Sequence, residues 1–104
     1  SKVVDLAADT DNQDMITSPD DGVSRIFVYG LMLTSAAAAT LLLLDEDNTA
    51  LTGTMPIGAN GGLVWPISQN PEAPWLVLDA DQDLDAKTVG SGGTMDGVII
   101  YAIR

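Results

Sequence analysis

The sequence contains no cysteine and no histidine. The first absence rules out a disulfide framework and any thiolate metal site. The second removes Ser-His-Asp and Cys-His nucleophile systems, and the two together remove the usual zinc ligands. Positive charge is scarce as well. Lys2, Arg25, Lys87 and Arg104 stand against fifteen acids, for a formal net charge of -11. Four scattered cations make no basic patch to neutralise phosphates, so no nucleic-acid partner is expected. An anionic membrane surface would repel such a chain. The opening residues, S1-KVVDLAADTDNQD, show no charged region, apolar run or cleavage site of a signal peptide.

What is present fits one domain. A chain of 104 residues buries roughly two thirds of its unfolded surface, enough for one core without staples. The conspicuous stretch is R25-IFVYGLMLTSAAAATLLLL-D45, uncharged from Ile26 to Leu44. It is long enough to cross a bilayer as a helix. Thr34, Ser35, Thr40 and Gly30 interrupt it, and its first half is rich in strand-favouring residues. Downstream, short apolar runs alternate with turn signals, as in a globular all-β chain. The run therefore predicts a strand pair, residues 24–33 and 38–44, joined by a T34-SAAA corner.

Beyond it, D45-EDNTA reads as a turn, residues 50–56 as a strand and A59-NGG as a turn with cheap positive φ. G62-LVWPI reads as a short strand, S68-QNPEAP as a loop and residues 75–83 as a strand or strand-to-loop passage. G90-SGG is a loop, and G97-VIIYAI the last strand. About seven or eight short strands and no convincing helix predict a single β-sandwich of jelly-roll type over residues 23–104. Residues 1–22, polar and acidic, read as an extended N-terminal arm. Val3, Val4 and Leu6 are their only apolar cluster before Met15 and Ile16, and Pro19 and Gly22 close the segment.

The succession R25-IFVYGLML, a small-residue corner, A39-TLLLLDEDNTALTGTM, A59-NGG followed by Val64 and Pro66, a Trp-bearing loop and G97-VIIYAI resembles small all-β virion proteins of tailed phages. Several of these are capsid decoration (cement) proteins. The resemblance covers about residues 24–104 and rests on turn and strand signals, not on chemistry. It implies a non-enzymatic role on the outer face of a phage capsid, commonly as a homotrimer that clamps neighbouring major capsid protein subunits. The composition is compatible with this. An acidic chain is poorly placed inside a shell filled with DNA and well tolerated outside it, where charge keeps particles apart. Two other readings remain open: a head-fibre base or tail accessory protein, and a carbohydrate- or calcium-binding β-sandwich module.

Candidate sites follow. D79-ADQDLDA offers Asp79, Asp81, Asp83 and Asp85 as hard oxygen ligands for Ca2+, with Asp79, Asp81 and Asp83 the expected metal set. The likeness to an EF-hand loop fails at Leu84, where glycine is needed, and at Gly90, where a bidentate glutamate belongs. The plainer reading is a solvated strand face. D45-EDN is a second acidic turn. No other cofactor is expected, and no two carboxylates are placed across a cleft as a glycosidase needs. Trp65 and Trp75, each beside proline, read as packing anchors, with sugar stacking or interface contact as alternatives. The arm reads either as a tail or as a strap that pairs with a neighbouring subunit through Val3, Val4 and Leu6, assisted by Met15 and Ile16.

Overall fold

A computed structural model describes residues 1–104 as nine strands with no helix. They are β1 (Lys2–Leu6), β2 (Thr10–Ile16), β3 (Ile26–Ser35), β4 (Ala39–Asp45), β5 (Met55–Ile57), β6 (Gly62–Trp65), β7 (Leu76–Val77), β8 (Leu84–Val89) and β9 (Met95–Ile103). They form two antiparallel sheets. The first has the order β1-β9-β3-β6, with β7 also on β3; the second has the order β2-β8-β4-β5. One apolar cluster draws on both. Val4, Leu6, Ile26, Val28, Leu31, Leu33, Met95 and Ile99 come from the first sheet, and Met15, Ile16, Leu41, Leu43, Ile57, Leu84 and Ala86 from the second. No helix is long and apolar enough to cross a membrane.

Strand β3 shows how sequence becomes sheet. Side chains alternate between faces with period two, and Ile26 and Val28 point into the core. A bulge between Val28 and Gly30 adds one residue and shifts the phase. Leu31, Leu33 and Ser35 are then the buried set, while Met32 and Thr34 face out.

The corner after β3 lies at residues 36–38, but the expected strand pair is corrected. β3 ladders with β6, β7 and β9, and β4 with β5 and β8. The chain changes sheet at the corner. Ser35 Oγ donates to the Ala37 carbonyl at 2.6 Å, and the Ala36 amide donates to Thr94 at 3.0 Å. Small side chains permit this approach: a Cβ on Gly93 would sit 2.5 Å from the Ala39 Cβ.

Residues 1–22 are not an extended arm, so the expected division at 22/23 is corrected too. β1 pairs with β9 from Lys2↔Ile99 to Leu6↔Met95, and β2 pairs with β8 from Thr10↔Thr88 to Ile16↔Leu84. Each is an edge strand. An edge strand is held by its backbone and needs few apolar side chains, which is why a polar stretch such as D11-NQD takes part. The connection between them is anchored in β8. Gln13 bonds both backbone groups of Ala7, and Thr88 Oγ1 donates to the Ala7 carbonyl. The radius of gyration, 13.1 Å, is close to the value of about 13 Å for a compact chain of this length.

Two further expectations change. The 75–83 passage is a strand only at Leu76–Val77, and the 50–56 strand shrinks to Met55–Ile57. Strand β8, with buried Leu84, Ala86 and Thr88, follows directly on the aspartate-rich turn.

Candidate functional site

The outward face of the first sheet carries an apolar row. Val3 lies opposite Val98, Val98 opposite Met32, and Met32 opposite Val64. These pairs cross four strands in a single line. Val3, Met32 and Val64 are 76%, 54% and 61% exposed, values that mark a solvent-facing surface and not a core. A second line runs beside it. Ile100 lies opposite Gly30, and the missing side chain of Gly30 is covered by Ile67, whose Cγ1 would stand 3.2 Å from a Cβ there. Between the two lines and the Trp65–Ile67 segment lies an open apolar groove of about 340 Å³. Contiguous exposed apolar surface of this kind marks interaction sites.

Polar groups frame this face at both ends. At one, Asp5 lies opposite Asp96, and a hydrogen bond donated by the protonated Asp96 carboxyl to Asp5, with lesser desolvation and charge repulsion, raises the Asp96 carboxyl above its ordinary value. At the other, the Arg104 guanidinium stands 4.8 Å from the Phe27 ring centre and 5.5 Å from that of Tyr29. Arg104 also donates to the Tyr29 hydroxyl, which donates to the Pro71 carbonyl at 2.7 Å. Beside the groove, Trp65 and Trp75 stack with centroids 5.7 Å apart and planes at 25°. Trp75 Nε1 donates to the Pro66 carbonyl at 2.8 Å.

The second sheet is different. Leu84, Ala86 and Thr88 of β8 point inward, so Asp85 and Lys87 point outward. Asp85 lies opposite Asp14 and Leu44 and is only 6% exposed. Burial, then the hydrogen bond and charge of Asp14, then the charges of Asp83 and Glu46, push its carboxyl up to about 7. Next to it, carboxylate oxygens of Asp20, Glu46 and Asp83 lie within 4.8 Å of one another. Glu46 is raised from its ordinary value, first by desolvation and then by the Asp83 charge.

The expected site residues are scattered by the fold. Val4, Leu6, Met15 and Ile16 are core residues and cannot contact a partner in the folded chain, a correction to the contact set. Val3 alone of the former arm's apolar residues is exposed. Residues 2–6 are not a free strap, since their backbone pairs with β9 on one side, and as an edge strand β1 keeps its other side open. Trp65 is half-buried against the core and Trp75 is exposed. Of the expected metal ligands, Asp79 pairs with Arg25 at 3.2 Å, Asp81 accepts the Gly22 amide at 2.8 Å, and Asp83 accepts the Ser18 amide at 2.6 Å. Only Asp83 belongs to the carboxylate cluster. The sequence reading missed Met32, Val64, Val98 and Ile100. Their signal was apolar residues at outward parity in strands flanking the bulge. Glu46 lay in the acidic turn D45-EDN, and nothing in the sequence joined it to Asp20, far away in the chain. Set against known proteins, the chain matches no family model, no curated protein and no solved structure.

Proposed function

We propose that this chain is a non-enzymatic structural protein of a phage virion. In this reading it decorates the outer face of the capsid and bridges neighbouring major capsid protein subunits. The observation that carries the proposal is the apolar row Val3–Val98–Met32–Val64, on a chain whose acids otherwise favour water on every side. A surface of this kind suits docking, while the acid-bearing second sheet suits exposure to solvent.

The strand order adds support at the level of architecture. With the two-residue β7 set aside, we read the orders β1-β9-β3-β6 and β2-β8-β4-β5 as a β-sandwich of jelly-roll type with eight strands. Capsid and lectin domains share that architecture, and fold alone does not decide between them. The stacking of Trp65 on Trp75 occupies aromatic surface that a sugar would need, which favours the capsid reading over a carbohydrate-binding module. Assembly as a homotrimer would multiply weak single contacts through multivalency.

The test is to mix the purified chain with undecorated heads of the phage that encodes it, then sediment and image the particles. Stoichiometric density on the outer shell supports the proposal. Recovery with tails only would shift the chain to a head-fibre base or tail accessory role. Absence from all particles, together with glycan binding lost on Trp75→Ala, would replace it with the carbohydrate-binding reading.

A further inference from the structure

The carboxylate cluster on the second sheet has no internal counter-charge. Lys2 is committed to the Met15 carbonyl, Arg25 to Asp79, Lys87 to Asp11, and Arg104 to Tyr29 and Pro71. Yet three carboxylate oxygens, from Asp20, Glu46 and Asp83, stand within 4.8 Å of one another. Two oxygens that both lie about 2.4 Å from one calcium ion can be at most about 4.8 Å apart, a condition the three meet.

Two buried oxygens beside them lack a donor. Asp85 is more than nine-tenths buried, and its Oδ1 accepts no hydrogen bond. It shares the outward face of the second sheet with Asp83, two residues earlier. Its ladder partner Leu44 stands two residues before Glu46. The Asp85 position is therefore one step along the ladder from the Asp83–Glu46 pair. The second orphan is Gln82 Oε1, whose amide nitrogen donates to Asp47 at 3.1 Å. A buried oxygen without a donor is costly unless a cation or water meets it.

We infer that Asp20, Glu46 and Asp83 hold a divalent cation, calcium by the chemistry of the donors, with the Asp85 and Gln82 oxygens turned towards it. All candidate donors are hard oxygens, and calcium accepts six to eight of them in flexible geometry. The ion links three segments distant in sequence. Asp20 lies in the connection between β2 and β3, which passes from the second sheet to the first; Glu46 lies in the turn after β4; Asp83 lies immediately before β8. Its effect is to staple the sheet-crossing connection to the second sheet. The inference is independent of the capsid reading.

Thermal melts of the full chain test it, in chelator, in calcium chloride on the order of 1 mM and in sodium chloride of matched ionic strength. Calcium is expected to raise the Tm by at least about 4 °C over the matched salt. Glu46→Gln and Asp20→Asn reduce that increment to the matched-salt level, while Asp79→Asn keeps it. Calorimetric titration of the unsubstituted chain reads one ion per chain without relying on any variant. A calcium shift no larger than that of matched salt, no titratable binding, or a response lost in Asp79→Asn and kept in Glu46→Gln overturns the inference.

Discussion

Thr88 Oγ1 donates to the Ala7 carbonyl at 2.7 Å across 81 positions of sequence. The same oxygen is within 3.3 Å of the Thr10 amide and of Gln13 Nε2. Thr88 is buried, so this hydroxyl ties the β1–β2 connection into the second sheet. Replacement by valine keeps the shape, removes the hydroxyl that the Thr10 amide meets and leaves the Ala7 carbonyl with Gln13 Nε2 alone. Thr88→Val is expected to lower stability by about 1–3 kcal/mol, read from urea unfolding followed by tryptophan fluorescence. A change within about 0.5 kcal/mol, the usual range for innocuous surface substitutions, would show that the connection is held without it.

Asp85 sets a pH dependence. Its carboxyl ionises near 7 in the folded chain against an ordinary 3.8, so between those values the folded state holds a proton that the unfolded state has released. The stability contributed by this group is therefore greatest below about pH 4, falls as pH rises towards 7, and changes no further above that. Asp85→Asn, which keeps a donor towards Asp14, is expected to flatten this slope and raise the Tm at pH 8. Melts in chelator from pH 4.5 to 8 measure it, and an unchanged slope in the variant would refute the assignment.

The corner between the sheets depends on the absence of side chains. Gly93→Ala places a methyl carbon 2.5 Å from the Ala39 Cβ, which the close-packed turn must absorb by moving backbone. The expected cost is about 1–3 kcal/mol. Gly53→Ala, where nothing lies within 4 Å of an added Cβ, serves as the control and is expected to leave the melt nearly unchanged.

The apolar row is separable from the fold. Met32→Lys and Val64→Lys alter exposed residues, so each is expected to shift stability by no more than about 0.5 kcal/mol. Both are expected to abolish stoichiometric recovery on phage heads, since an unpaired charge buried at an interface is costly. Equal particle binding by the double variant and the unsubstituted chain would remove this face from the mechanism.

Much of the fold was legible in order. The uncharged run carried two strands with a small-residue corner, and A59-NGG and G90-SGG carried turns, because glycine and alanine mark those places through local geometry alone. The β1 and β2 strands were not legible. Thr10 to Asp14 offer no apolar alternation, and what holds them is backbone pairing with β8, a partner far along the chain. Strand β8 itself was obscured by the aspartates before it, which read as one continuous polar segment. Likewise the bulge at Val28–Gly30 reverses which residues of β3 face water, and no pattern in the sequence announces it.

Composition by itself determined which ligand chemistry this chain cannot supply: without cysteine and histidine, thiolate and imidazole sites cannot be built. It also determined an all-β chain, since strand propensity and turn chemistry are short-range properties. Only the tertiary structure decided which side chains meet. Val3 joins Met32 in one row, and Asp20 joins Glu46 and Asp83 in one cluster, because antiparallel register brings distant segments to the same place on a sheet, and register is fixed by packing of the whole core.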